Sequence, residues 1–323
     1  MSKILITGVA GFIGYHTAKL LLYQGHEVVG LDNMNNYTDT NMQIFRSEEL
    51  KKYPNFLFYC IDIQDINSLN DFFPLHRFDA VIHLAAKVGV RESVNSPHSY
   101  FNINLQGTLN ILDMMKKYQV NKLVFASTSS VYAGLEVPFY ENAITESPAS
   151  PYGISKRAAE MLCYNYHTMY GIDVSIVRYF TVYGPGGRPD MSYFRFIRWI
   201  DEDKPVIING DGTQFRDFSY VEDIAEGTSK ALKNIGYEIF NLGGGNGTYS
   251  LNYMIELIED YLQKKAQVVH RPFLVEDMKA TWANIDKAKN MLGWQPQTNF
   301  KTGIKKCIDW YLENKTWIKE MNM

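Results

Sequence analysis

The chain is poor in cysteine, with only Cys60, Cys163 and Cys307 spread over 323 residues. An odd, scattered set without metal-type spacing excludes a disulfide framework and a thiolate metal site, and it fits reduced, mostly buried thiols. No apolar run approaches membrane-spanning length, and no internal repeat or low-complexity linker is evident. Neither sign of charge dominates, since 32 basic and 35 acidic residues leave a net charge of -3. That balance gives no field suited to a polyanionic polymer, so nucleic-acid binding is not expected and any phosphate binding must be local. The strand-like run Lys3-Ile4-Leu5-Ile6-Thr7 begins at once. A signal peptide is therefore not expected, and the cytoplasm is the expected location.

What is present is a parallel-sheet rhythm. Short β-branched or apolar runs at Ile4 to Thr7, Glu27 to Leu31, Phe56 to Cys60, Ala80 to Leu84, Leu123 to Ser127 and Asp173 to Arg178 alternate with helical patterns such as Tyr15 to Gln24 and Gly107 to Tyr118. Right-handed crossovers then put helices on both faces, predicting an α/β, Rossmann-type doubly wound parallel sheet. With 46% hydrophobic residues the chain can also fill a smaller α/β lobe. After Arg178 the texture turns to Gly/Pro-rich loops and aromatic helices. The expected division is a nucleotide-binding domain of residues 1–178 plus about 218–238, and a substrate lobe of 179–217 and 239–323.

Gly8, Gly11 and Gly14 lie between the first strand and its helix, where missing side chains let backbone donors approach a pyrophosphate. Phe12 and Ile13 share that turn. Asp32, at the end of the second strand, has the separation expected for a carboxylate accepting hydrogen bonds from an adenosine ribose. It favours NAD over NADP, because a 2'-phosphate would meet like charge and the next residues, Asn33 to Asn36, include no arginine. Asp62-Ile63 follows the third strand, where it can meet the adenine edge or be a solvated loop. Ala85 would let a cofactor run close to the backbone after the fourth strand, and Lys87 has access to ribose or phosphate oxygens or to solvent. His83 reads as a structural histidine.

Tyr-x-x-x-Lys recurs in a chain with 22 tyrosines, at Tyr15, Tyr118 and Tyr152 among other places. Only Tyr152 follows a hydroxyl-rich strand end, Ser127-Thr128-Ser129-Ser130. On a helix Lys156 stands one turn from Tyr152 on the same face, able to stabilise its phenolate. Lowering a tyrosine by about 3 units to act near neutrality needs about 4 kcal/mol of phenolate stabilisation, expected from Lys156 and a positive nicotinamide. Thr128 can hydrogen-bond the same substrate hydroxyl. Thr128, Tyr152 and Lys156 thus predict oxidation of a secondary alcohol.

The segments HLAAKVGVRES (His83 to Ser93), YFTVYGPGGRPDM (Tyr179 to Met191), RDFSYVED (Arg216 to Asp223) and Ala280-Thr281-Trp282-Ala283 complete a pattern that resembles the extended short-chain dehydrogenase/reductase family of NAD-dependent epimerases, dehydratases and decarboxylases. Within it they are most similar to members that epimerise UDP-glucuronate at C4. The resemblance covers almost the whole chain. It implies tightly bound NAD, a UDP-sugar substrate, a transient 4-keto sugar, hydride return to the opposite face, and the family's catalytic positions for Thr128, Tyr152 and Lys156. Related dehydratases and decarboxylases usually carry an acid shortly after the catalytic Ser/Thr, where this chain has Ser129 and Ser130; that speaks against dehydration and less strongly against decarboxylation. C4 epimerisation of UDP-glucose or UDP-N-acetylglucosamine stays open as the alternative.

For the substrate, Arg188 and Arg216 are the candidates for the diphosphate, each with a structural reading beside it: Arg188 as a loop cap, Arg216 as an ion-pair partner of Asp217. Asp277 aligns with a family carboxylate at the uridine ribose, although Glu276 replaces the usual small residue before it. Arg271 could face phosphate or solvent. Ser129, Ser130 and Thr181, with Arg91, are expected to hold a glucuronate carboxylate. Tyr193, Phe194, Phe196, Trp199 and Ile200 are expected to pack the lobe. Ala158, Met161, Leu162 and Tyr166 on the helix from Ile154 to Tyr170 suit burial against a second subunit, predicting a homodimer, or packing within the chain.

Overall fold

The computed structural model describes residues 1–35, 40–245, 247–273 and 280–321. Seven parallel strands form one sheet: β1 (Lys3–Thr7), β2 (Glu27–Asp32), β3 (Phe56–Cys60), β4 (Ala80–His83), β5 (Lys122–Thr128), β6 (Asp173–Tyr179) and the strand Tyr237–Leu242. Their spatial order is Tyr237–Leu242, β6, β5, β4, β1, β2, β3. The order reverses between β1 and β4, and a crevice opens there at the carboxyl ends of the strands.

Continuous apolar strands are what burial on both faces requires. Every residue of β5 is buried. One face is covered by α1 (Phe12–Tyr23) and the helix Val221–Lys230, which contribute Phe12, Leu21, Val221 and Ile224 to a common core. The other carries the helices Gly107–Lys117 and Pro151–Tyr170, through Ile111, Met115, Ala159 and Cys163. A separate core joins the helices Ser192–Asp201, Leu251–Leu262 and Phe300–Ile318 around Phe194, Ile197, Leu257, Ile258, Ile304 and Tyr311.

The expected domain boundary needs correction at two places. Residues 239–242, assigned to the substrate lobe, lie in the large sheet, because Tyr237–Leu242 pairs with β6 from Tyr237 opposite Val174 to Leu242 opposite Tyr179. The helix Asp286–Leu292 also leaves its expected lobe. Ala288, Leu292 and Trp294 pack in the α1-side core, and the Trp294 indole donates to the Asp223 carbonyl at 2.8 Å. A parallel edge strand and an exposed flank of the core are both covered by chain returning from the far lobe. Cys163 and Cys307 are buried and Cys60 is exposed. No helix among the described residues is long and apolar enough to cross a membrane.

Candidate active site

At the reversal point the crevice widens into a cavity of about 990 Å³. Its nucleotide wall starts at Gly8, whose φ of +71° and close approach to Ala85 leave no room for a side chain: a Cβ there would lie 2.7 Å from the Ala85 amide nitrogen. Gly11 is the N-cap of α1 and offers no side-chain acceptor. The first-turn amides at Phe12, Ile13 and Gly14 therefore face the cavity without a cap, the donor set that suits a pyrophosphate. Asp32 accepts from the Ala10 and Met34 amides at 3.0 Å each, while burial pushes its carboxyl above the usual range against those bonds. Asp62 accepts from Asn33 at 2.8 Å, and Ile63 lies beside it on the cavity wall.

Arg46 modifies the argument from Asp32. Although no arginine follows Asp32 in sequence, the fold brings the buried Arg46 close enough for its charge to act on that carboxylate. Its guanidinium is already committed to the carbonyls of Ala10, Gly186 and Gly187 at 2.8 to 3.1 Å. It braces the loop more than it offers charge to a ligand.

β4 delivers the next contacts. His83 is structural, as expected: its two ring nitrogens meet Thr7 Oγ1 at 2.6 Å and Thr108 Oγ1 at 3.1 Å, and burial, with the Lys156 charge, lowers it to about 3. Ala85 and Lys87 line the cavity, and Lys87 Nζ donates to Ser99 Oγ at 2.9 Å. Asn104, which sequence reasoning missed, clamps this loop. Its amide exchanges hydrogen bonds with the Lys87 backbone at 2.8 and 2.9 Å and donates to Ser155 at 3.0 Å. It sits in the widened π-turn Phe101–Gln106, a local feature without a sequence signature.

The candidate catalytic group assembles from two elements. Ser150 caps the helix Pro151–Tyr170 by accepting from the Gly153 amide at 3.1 Å, and Pro151 fits the first turn. Gly153 lets that turn approach the Ser130 carbonyl, where an added Cβ would come to 3.0 Å. Tyr152 is thereby set against the turn Ser129–Tyr132, whose N-cap is Thr128; Thr128 Oγ1 accepts from the Ser130 amide at 3.1 Å. The Tyr-x-x-x-Lys pairs at Tyr15 and Tyr118 lie elsewhere, with Tyr15 in the core and Tyr118 stacked on Phe73.

Burial raises the Tyr152 phenol, opposed by hydrogen bonding with Thr128 and by the Arg188 charge, and Lys156 is not a lowering influence in the polypeptide alone. Lys156 is itself lowered to about 8 by burial, against the pull of Cys163 and Glu160, with its ammonium 4.3 Å from the Phe125 ring. The preorganised polypeptide therefore holds a protonated phenol beside a softened ammonium.

On the far wall, Arg91, Ser129, Ser130, Thr181, Arg188 and Arg216 all face the same cavity. Arg188 is bidentate to Asp190 at 3.0 and 2.6 Å, and its charge acts on Tyr152. Asp217 is occupied with the Ala283 amide at 2.8 Å and the Gly244 amide, while Arg216 donates to the Phe215 carbonyl at 2.9 Å. Arg271 ends an exposed strand and is not part of the cavity lining. Asp277 and Glu276 lie outside the described residues. Tyr193, Phe194, Phe196 and Ile200 are core, although Phe196 and Trp199 also reach the cavity. Arg195 was missed: it stacks on Trp199 at 4.7 Å and shares a field with Arg91 and Arg271. Its Arg-x-x-x-Trp spacing is the only local signal that could have found it. Among the described residues no His, Cys, Asp and Glu cluster could hold a metal ion.

Residues 4–243 match the model of the NAD dependent epimerase/dehydratase family. A UDP-glucuronate 4-epimerase of Thermodesulfobacterium geofontis is 50% identical over all of both chains. The crystal structure of a Bacillus cereus UDP-glucuronic acid 4-epimerase with UDP-glucuronic acid and NAD is 36% identical, with a TM-score of 0.89 over 97% of this chain and 99% of that one. A UDP-glucose 4-epimerase from Thermotoga maritima is 31% identical, with a TM-score of 0.88 over the same shares.

Proposed function

The chain belongs to the NAD-dependent epimerase/dehydratase family, and from that premise we propose that it interconverts UDP-glucuronate and UDP-galacturonate at C4, supplying an acidic sugar nucleotide for polysaccharide synthesis. The observation that carries the reading is the meeting of Thr128, Tyr152 and Lys156 with Arg188, Ser129, Ser130 and Thr181 in one cavity. NAD fits the uncapped amides at Phe12, Ile13 and Gly14 together with Asp32, Asp62, Ile63, Ala85 and Lys87. When bound, it supplies the acceptor and the source of the C4 hydride, and a positive ring charge that favours the Tyr152 phenolate.

Tyr152 takes the C4 hydroxyl proton as the C4 carbonyl forms and returns it when the opposite face is reduced. Thr128 steers that proton by hydrogen-bonding the same oxygen, and Lys156 supports the phenolate. The ketosugar must turn between the two transfers. It is a β-keto acid, and alignment of its carboxylate with the carbonyl π system would release carbon dioxide. Ser129, Ser130 and Thr181 hold the carboxylate out of that alignment. Arg188, whose charge reaches Tyr152, joins them at the sugar, and Arg91 is a further partner. Arg216 and Asp277 serve the diphosphate and uridine ribose.

The helix Pro151–Tyr170 leaves Met161 60% and Met169 63% exposed, with Ile154, Tyr164 and Tyr170 also open, which supports a homodimer through this face. Tyr166, in contrast, packs inward and donates to Asp113 at 2.6 Å. The expected location remains the cytoplasm. The deciding experiment is NMR product analysis after separate incubation with UDP-glucuronate, UDP-glucose and UDP-N-acetylglucosamine, with and without added NAD. Selective formation of UDP-galacturonate is expected. Turnover of neutral sugars alone would overturn the substrate, and UDP-pentose as the main product would overturn the carboxylate clamp.

A further inference from the structure

One buried carboxylate has no part in the chemistry above. Glu160 is completely buried one helical turn beyond Lys156 and two beyond Tyr152. Its Oε1 accepts from Ser127 Oγ at 2.5 Å and from Arg178 Nε at 2.9 Å, and its Oε2 accepts from Arg178 Nη2 at 2.7 Å and Arg157 Nη1 at 3.3 Å. Ser127 directly precedes Thr128 and is the register partner of Arg178 on β6. The network continues outward, with Arg178 Nη1 donating to the Tyr132 hydroxyl at 2.7 Å and Tyr132 to Asn241 at 2.8 Å. Tyr132 closes the turn that carries Ser129 and Ser130. One carboxylate thus ties together the helix bearing Tyr152 and Lys156, the strand end bearing Thr128, and the neighbouring strand that leads into the cavity wall.

A buried ion pair is weak evidence of added stability, since apolar residues of similar volume often do as well. What this pair does provide is directional contact among three separate elements. We propose that Glu160 is a positioning residue for the epimerisation, acting through Ser127 on Thr128 and through its charge on Lys156. The proposal rests on the function read above. The titratable groups around Lys156 are Tyr152, Glu160 and Cys163 on its own helix and His83 on β4, with the Phe125 ring on β5. Burial keeps His83 neutral and the Cys163 thiol protonated, so Glu160 is the negative charge among them.

The test compares wild type with Glu160→Gln, which keeps the shape and removes the charge. Turnover is expected to fall about tenfold to a hundredfold, with KM for the UDP-sugar changed less than about twofold, the split expected when an interaction acts in the transition state alone. The Lys156 titration, followed by NMR in ¹³C-lysine-labelled NAD-loaded protein and assigned with Lys156→Met, should move to lower pH. That titration needs no sugar, so a wild type inactive on every UDP-sugar would sink the function reading while this arm still decides the role of Glu160. Should Glu160→Gln fail to fold, Glu160→Met/Arg178→Met removes both charges together, and the same loss of turnover with a smaller downward titration, the lost Arg178 charge offsetting part of it, is expected. Wild-type turnover in a folded variant overturns the proposal. So does lost turnover with the Lys156 titration unmoved, which would leave Glu160 a structural residue only.

Discussion

The two walls of the cavity are made of different material. The nucleotide wall is mostly backbone and small residues: Gly8 against Ala85, the uncapped amides of α1, and loop carbonyls braced by Arg46. The substrate wall is mostly side chains, with Arg91, Arg188, Arg195 and Arg216 arriving from four separate segments. A backbone surface binds one shape and tolerates little change, whereas a side-chain surface can exchange one sugar nucleotide for another without refolding. The nucleotide wall should therefore fail abruptly, and the specificity should fail by degrees.

Tyr152→Phe tests the seam between the walls and carries the largest expected effect. Epimerisation should fall by about three orders of magnitude, while NAD released on denaturation stays at the wild-type amount. A variant that turns over at the normal rate would remove Tyr152 from its role.

Acid should attack the nucleotide wall selectively. His16, held against the Pro185 carbonyl at 3.0 Å, and His83 are both lowered to about 3 by burial. The unfolded imidazoles take up protons near the ordinary 6.5, so the unfolded state binds more protons between that value and 3. The stability is present above pH 6.5 and is lost as pH falls toward 3, by about 2 kcal/mol for each histidine between pH 7 and 5. Asp217, raised to about 6 by burial, works the other way and offsets about 1 kcal/mol over the same interval. Asp32, Glu141 and Asp223, also raised by burial, act in the same direction as Asp217, so urea midpoints at the two pH values should reveal a net loss of at most about 3 kcal/mol; a protein more stable at pH 5 than at pH 7 would contradict the neutral burial of these rings.

Breaking the substrate wall should spare the chemistry. For Arg216→Ala, KM for the UDP-sugar is expected to rise about tenfold to a hundredfold with a smaller change in kcat, the pattern of lost ground-state binding to a phosphate. A kcat defect at unchanged KM would move Arg216 out of the binding wall.

Ser130→Ala is the mildest change. It removes one hydrogen bond to the carboxylate, worth about 1 kcal/mol, and should raise the share of UDP-pentose a few-fold in the NMR product assay. No change in that share would leave the clamp to Ser129, Thr181 and Arg188.

How legible these walls were in the sequence follows from their material. The glycine spacing, the strand rhythm and the Tyr152–Lys156 pair are local patterns, and each one predicts its own backbone or helix face. Arg46, Asn104, Arg195 and Glu160 carried no such pattern. Arg46 meets Ala10 from 36 residues away and Gly186 from 140, and Asn104 reaches Ser155 across 51. Distances of that kind are set by how the helices dock on the sheet.

Local sequence alone determined the doubly wound sheet, the uncapped glycine turn and the candidate pair Tyr152 and Lys156, because strand period, glycine placement and helical spacing act over a few residues. Tertiary structure alone decided that 239–242 complete the sheet, that the charge of Arg188 acts on Tyr152, and that Tyr152 is buried deeply enough for desolvation to raise its phenol. Edge pairing, desolvation and charge proximity depend on which distant segments close over a site, and the distance along the chain does not encode them.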